Sequence, residues 1–131
     1  MAKLIHTMIR VRDLDASLKF YGEVFALMPS HRLDFDDFSL VYLRNGETEA
    51  ELELTWNKGR AEPYTHGDGY GHVAVVVDDV TALHADLTQA GYAPMPVKEF
   101  KHEQALLARF FFITDPDGYK IEVLEKHGHY R

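Results

Sequence analysis

The stretch Leu4-Ile5-His6-Thr7-Met8-Ile9-Arg10-Val11-Arg12-Asp13-Leu14 decides the fold, because its grammar recurs 66 positions later in His72-Val73-Ala74-Val75-Val76-Val77-Asp78-Asp79-Val80. Each copy runs from a histidine through an apolar segment of strand length to an aspartate that can cap a helix. After Asp13, Leu14, Leu18, Tyr21 and Phe25 recur at i, i+4, i+7 and i+11, the stripe of an amphipathic helix. After Asp79, Val80, Leu83, Leu87 and Ala90 do the same, with Gly91 as the stop. Residues 38–44 and 50–56 then read as two strands around Asn45-Gly46, and residues 109–114 and 119–125 as two more around Asp115-Pro116-Asp117-Gly118. A further short strand is expected near residues 32–35, with a counterpart near 95–100. Each half reads β-α-β-β-β, so the fold class is α+β: one domain over residues 1–131, built from tandem modules at about 4–57 and 70–125. Duplication of such a unit predicts two curled half-sheets facing a cleft, in one chain or between chains.

The same repeat carries candidate metal ligands. Glu53, in Leu52-Glu53-Leu54-Thr55-Trp56-Asn57, follows His6 by 47 positions, and Glu122, in Asp117-Gly118-Tyr119-Lys120-Ile121-Glu122-Val123, follows His72 by 50. Successive strand side chains face opposite sides. Leu4, His6, Met8 and Arg10 therefore share one face, and Ile5, Thr7, Ile9 and Val11 share the one under the helix. Glu51, Glu53, Thr55 and Asn57 oppose Leu52, Leu54 and Trp56; His72, Ala74 and Val76 oppose Val73, Val75 and Val77; Lys120, Glu122 and Leu124 oppose Ile121 and Val123. All four candidates lie on the face turned away from the helices. Two imidazoles and two carboxylates suit a divalent first-row metal, and ligand type admits Ni²⁺, Co²⁺, Fe²⁺, Mn²⁺ and Zn²⁺. Closure by all four alone would make a structural site, whereas added waters would leave positions for a substrate. One strand histidine or one exposed glutamate is ordinarily structural; four at repeated places are harder to explain that way.

Composition narrows the classes. A chain of 131 residues with 46% hydrophobic content can bury a core unaided. It has no cysteine, which fits a reducing cytosol and excludes thiolate chemistry. No secretory signal is visible at Met1-Ala2-Lys3-Leu4 and no apolar run approaches about 18 residues, so a soluble, cytoplasmic protein outside the membrane is expected. A net charge of −7 argues against nucleic acid as a partner.

His6-Thr7-Met8-Ile9-Arg10-Val11, Glu53-Leu54-Thr55 with Asn57, Tyr70-Gly71-His72 and Asp115-Pro116-Asp117-Gly118-Tyr119-Lys120-Ile121-Glu122 resemble, in order and over nearly the whole chain, bacterial glyoxalase I (lactoylglutathione lyase) of the vicinal oxygen chelate superfamily. The Asp-Pro-Asp-Gly turn is common to the superfamily; the His, Glu, His, Glu set is much more specific. The resemblance implies that His6, Glu53, His72 and Glu122 are metal ligands, with two waters completing an octahedron. It further implies a homodimer in which the His6 and Glu53 pair of one chain meets the His72 and Glu122 pair of the other. Sequence alone does not separate that arrangement from an intrachain one. Short chains of this kind resemble the nickel- or cobalt-activated class, which favours Ni²⁺ over Zn²⁺.

The implied reaction isomerises the hemithioacetal of methylglyoxal and glutathione, a small-molecule substrate, to S-lactoylglutathione. Proton removal next to a carbonyl needs a nearby base and a positive centre to hold the enediolate oxygens. The family points to Glu122 as that base, with Glu53 as its counterpart on the other face. Arg10 lies four positions beyond His6 on the same strand face, about 13 Å along at the usual rise, and could grip a carboxylate of glutathione or reach into solvent. Asn57 matches a glutathione-binding residue of the family, and beside Lys58-Gly59 it also suits a turn cap.

Departures from the family pattern fall where substrate is read. Residues 97–109 lack the expected Gly- and Thr-containing loop, and residues 30–37 are shorter and more acidic. Lys101 or Arg109 could replace a family cation or simply face solvent. His127, His129 and Tyr130 have a spacing that can chelate metal but sit near a terminus, and His31, His66, His84 and His102 lack a well-placed carboxylate. Phe110-Phe111-Phe112 reads as a doubly buried strand at the core or interface. Extradiol dioxygenases and thiol transferases of the superfamily use two His and one Glu, and the epimerases resemble a site with Gln where Glu53 stands. A non-catalytic binding protein of the same fold is the rival from another class. The fourth carboxylate favours glyoxalase over all of these.

Overall fold

The computed structural model describes residues 1–131, which form two compact units, 1–65 and 66–131. In the first, β1 (His6–Val11) leads into α1 (Leu14–Phe25), then β2 (Met28–Asp34), β3 (Phe38–Arg44) and β4 (Glu51–Asn57). In the second, β5 (Val73–Val77) leads into α2 (Val80–Gln89), then β6 (Lys98–His102), β7 (Ala105–Thr114) and β8 (Lys120–Glu125). The sheet orders are β1-β4-β3-β2 and β5-β8-β7-β6, each with one parallel pair, β1 with β4 and β5 with β8. This is the expected pair of βαβββ modules in mixed sheets. No helix is long and apolar enough to cross a membrane.

The local chemistry explains why both halves fold alike. Asp13 accepts from the Ala16 amide at 3.1 Å and Asp79 from the Ala82 amide at 2.9 Å, so each caps its helix and turns the chain off the preceding strand. α1 ends with Ala26 at φ 53°, its amide on the Gly22 carbonyl and the next amide on Tyr21, which satisfies two terminal carbonyls. α2 stops before Gly91 at φ 92°, as its sequence suggests. The buried face of α1 differs slightly from expectation. Leu14, Ser17, Phe20, Tyr21 and Val24 are buried while Leu18 and Phe25 sit at the margin, because the true stripe drifts with the 3.6-residue period.

Strand parity holds where the core forms. Ile9, Val11, Val41, Leu43, Leu52 and Leu54 fill the core of the first unit, and Phe111, Ile113, Ile121 and Val123 that of the second. The phenylalanine run is not doubly buried: Phe111 goes to the core, whereas Phe110 and Phe112 are half-buried on the opposite face. Leu124 is also buried, at 5% exposure, although it shares Glu122's face, where it pairs with Phe110.

The turns work through side chains. Asn45 accepts from the Glu47 amide at 2.9 Å and donates to the Phe25 carbonyl at 3.1 Å, tying the β3–β4 loop to the end of α1. Asp115 is buried and accepts from the Asp117 and Tyr119 amides, each at 2.9 Å, while Gly118 takes φ 87°. The segment at 97–109 resolves into a hairpin whose two turn residues, Glu103 and Gln104, both lie at positive φ (50° and 69°). Asn and Gly ordinarily supply such a turn, which is why its sequence does not announce it.

Candidate metal centre

On β3 and β4 the register sets Tyr42 opposite Glu53, and on β1 it sets Met8 beside Glu53, so His6 lies two residues along the same face. The result is a pair, with His6 Nε2 3.3 Å from a Glu53 oxygen. The second unit repeats it. Phe112 lies opposite Glu122, Ala74 lies beside it, and His72 stands two residues before Ala74 with Nε2 2.9 Å from a Glu122 oxygen. One expectation shifts: His72 precedes β5, which starts at Val73. It still lies on the anticipated side, its Nε2 at the Glu122 carboxylate.

Two donors that share one divalent ion at right angles, each about 2.1 Å from it, lie about 3 Å apart. Both pairs match that separation, and both present Nε2, so a metal suits each half-site by donor type and by distance. The structure brings the four expected ligands together in twos; no group of three or more His, Cys, Asp or Glu in the chain is placed to hold an ion.

The surroundings of the two pairs differ. Tyr42 faces Glu53 across the strand pair, and hydrogen bonding toward that carboxylate, then desolvation and the negative charges of Glu53 and Glu51, holds the phenol above its ordinary value. The His6 ring meets the Tyr42 ring edge-on at 5.6 Å. Glu51 is the register partner of His6, and its carboxylate accepts from the Ser30 hydroxyl. Around the second pair, the Phe112 ring meets His72 edge-on at 5.4 Å and offers no hydroxyl. Glu53 is buried, at 7% exposure, whereas Glu122 is half-buried.

A cavity of about 450 Å³ lies beside His72, lined by His66, Tyr70, Phe112 and Lys120 among others. The His66 ring stacks on Tyr119 at 4.1 Å, and its buried Nε2 has no hydrogen-bond partner. The Tyr70 hydroxyl donates to the Lys120 carbonyl at 3.1 Å, closing one side of the cavity.

Other expected site residues resolve individually. Arg10 is exposed beside Thr55, on the face of His6. Asn57 spends its amide on the Tyr64 hydroxyl at 3.2 Å, which fixes the chain leaving β4. Lys101 and Arg109 both bind Glu99, at 3.3 and 3.1 Å, and Arg109 also approaches Glu125 at 3.7 Å, so each is tied into the β6–β7 hairpin. His127 places Nε2 2.9 Å from the Leu106 carbonyl and pairs with Tyr130 through the backbone, an arrangement that locks the terminal turn. His84 is likewise structural, on the Met95 carbonyl and the Phe111 ring.

Sequence reasoning missed Tyr42. Its parity, shared with Phe38 and Leu40, placed it on the ligand face. Only the register across the β3–β4 hairpin sets it opposite Glu53.

The model of the Glyoxalase/Bleomycin resistance protein/Dioxygenase superfamily matches residues 3–123. The chain is 40% identical over 129 residues to the lactoylglutathione lyase of Haemophilus influenzae, covering 94% of this chain and 92% of that one. Among solved structures, the trypanothione-dependent glyoxalase I of Leishmania major aligns with a TM-score of 0.76 at 37% identity, covering 95% of this chain and 87% of that one. Glyoxalase I of Zea mays aligns with a TM-score of 0.83 at 29% identity, covering 96% of this chain and 45% of the longer maize chain. The repeated βαβββ architecture and these likenesses agree: the chain belongs to the Glyoxalase/Bleomycin resistance protein/Dioxygenase superfamily.

Proposed function

We propose that the protein is a lactoylglutathione lyase whose metal centre is completed by two copies of the chain, His6 and Glu53 from one and His72 and Glu122 from the other. The observation that carries this reading is the pair of His–Glu contacts, at 3.3 and 2.9 Å, at equivalent register positions of two duplicated sheets. Relatives named lactoylglutathione lyase, spanning over nine-tenths of the chain, support the same activity. Ni²⁺ is the favoured ion and Co²⁺ the next.

A bound divalent ion supplies positive charge that lowers the cost of negative charge on the substrate oxygens. Glu122 takes the proton from the carbon bearing sulfur, and the C–H electron pair moves into the new carbon–carbon double bond as the neighbouring carbonyl oxygen becomes negative. The Glu122 carboxyl then returns the proton to that neighbouring carbon, and the hydroxyl proton passes between the two oxygens. The sum is an isomerisation with no oxidant or reductant. Half-burial suits Glu122 to this task, since the group is held beside His72 and can still reach a substrate in the adjoining cavity. Arg10 holds a carboxylate of the thiol, and Asn57, held by Tyr64, shapes the same end of β4.

The test is metal-free protein reconstituted separately with Ni²⁺, Co²⁺ and Zn²⁺ and assayed with methylglyoxal plus glutathione, and in parallel with trypanothione. Activity highest with Ni²⁺ or Co²⁺ and glutathione is expected. No thioester product with any metal or thiol would overturn the reading.

A further inference from the structure

The residue two places before each paired glutamate, on the same strand face, differs in sign between the halves: Glu51 precedes Glu53, and Lys120 precedes Glu122. Glu51 is occupied within its own half, where its carboxylate accepts from the Ser30 hydroxyl. Lys120 is not. Its carbonyl accepts from the Tyr70 hydroxyl at 3.1 Å, its ammonium pairs with no carboxylate of the chain, and its side chain lines the cavity of about 450 Å³ beside His72. We infer that this cavity is an anion subsite, in which Lys120 binds a carboxylate carried by the substrate. The inference rests on the metal-centre reading above, which brings substrate to His72 and Glu122.

The composition of the wall carries the argument. Lys120, His66, Tyr70, His72 and Phe112 line the cavity, glycine supplies the rest, and no Asp or Glu is among the lining residues of a chain whose net charge is −7. A cleft lined by one sign of charge concentrates its field, so a cation there acts more strongly than one on an open face. An ammonium that meets a carboxylate makes a charge-assisted hydrogen bond, stronger than a neutral one. The glycines leave the backbone open to close approach by a ligand. His66 adds a polar atom at the same wall: its buried Nε2 has no protein partner, a cost that a polar ligand or the water it orders removes. Lys120 stands about 7 Å along the strand from Glu122 at the usual rise, so a carboxylate bound there lies a short arm away from the carbon that Glu122 meets. That carboxylate can sit on the thiol arm of the substrate or on its carbonyl arm, and the recognising chemistry is the same.

The test uses thioethers, whose binding needs no turnover. S-butylglutathione, its diethyl ester and S-(3-carboxypropyl)glutathione are titrated calorimetrically into wild type and Lys120→Gln in the presence of Ni²⁺, with thermal unfolding checking the fold. Lys120→Gln is expected to weaken binding of a carboxylate-bearing probe about tenfold, as loss of one hydrogen bond to a charged group implies. A loss with both acids that is absent with the diester places the carboxylate on the thiol arm. A loss confined to the carboxypropyl compound places it on the carbonyl arm. Equal affinities of the two proteins for all three probes, absent binding included, or an equal loss with all three, overturn the inference. Wild-type protein that binds the acids through Lys120 but makes no thioester overturns the activity instead and leaves the subsite standing.

Discussion

The first and second units share topology, helix caps and a His–Glu pair, yet they surround that pair differently. Beside His6 and Glu53 stand a phenol and a second carboxylate, Tyr42 and Glu51; at the matching places beside His72 and Glu122 stand Phe112 and Lys120. One half buries its carboxylate opposite a phenol in a nearly closed setting. The other leaves it against an aromatic ring, next to a cavity and a cation. Duplication thus supplies two matching His–Glu pairs, and small changes on one sheet face give them unequal surroundings.

The largest expected effect breaks that inequality directly. Glu122→Gln should lower kcat for thioester formation about 10³-fold, the middle of the range for a lost general base, with the thermal midpoint held. A smaller loss than that of Glu53→Gln would reassign the base.

Next comes the question of which chains the halves belong to. His6→Ala and His72→Ala should each be inactive alone, but dissociated and reassociated together they should recover about a quarter of wild-type activity, since half the dimers are mixed and each has one intact site. No recovery would place both pairs of a site in a single chain.

Stability should respond more evenly. Leu54 and Val123 are fully buried at matching places, beside Glu53 on β4 and beside Glu122 on β8. Leu54→Ala should cost about 3 kcal/mol by the usual cost of emptying a buried leucine site, read from urea unfolding. Val123→Ala, a smaller deletion, should cost less. A Leu54→Ala loss below about 1 kcal/mol, a third of that expectation, would show that the first core is loosely packed.

The smallest effect belongs to the β6–β7 hairpin. Arg109 and Lys101 hydrogen-bond Glu99 and hold it below its ordinary value of 4.5. A lowered carboxylate contributes stability that is complete above its unfolded value and lost as pH falls through its folded one. Unfolding of wild type should therefore steepen with acid below pH 4.5 slightly more than that of Glu99→Gln. Equal pH profiles would mean that the exposed cluster contributes nothing, as many surface pairs do.

Much of this was legible in the chain. Asp13 and Asp79 announced both helices because a cap is a local interaction, and alternation in Leu52-Glu53-Leu54 placed the carboxylate away from the core because strand period is local too. Asn57, Lys101 and Arg109 were ambiguous for the opposite reason. Their partners Tyr64, Glu99 and Glu125 are chosen by loop path and hairpin register, which no spacing rule fixes. The strand at β6 was faint because its turn uses Glu103 and Gln104 at positive φ, against residue preference.

By itself, then, the sequence determined a duplicated α+β chain with a His and a Glu on one face of each half, since helix capping and strand parity depend only on near neighbours. Tertiary structure decided that each His meets its Glu within about 3 Å, and that a tyrosine stands over one carboxylate and a phenylalanine over the other. Those outcomes depend on pairing between strands far apart in the chain, where a shift of one residue would turn every side chain to the opposite face.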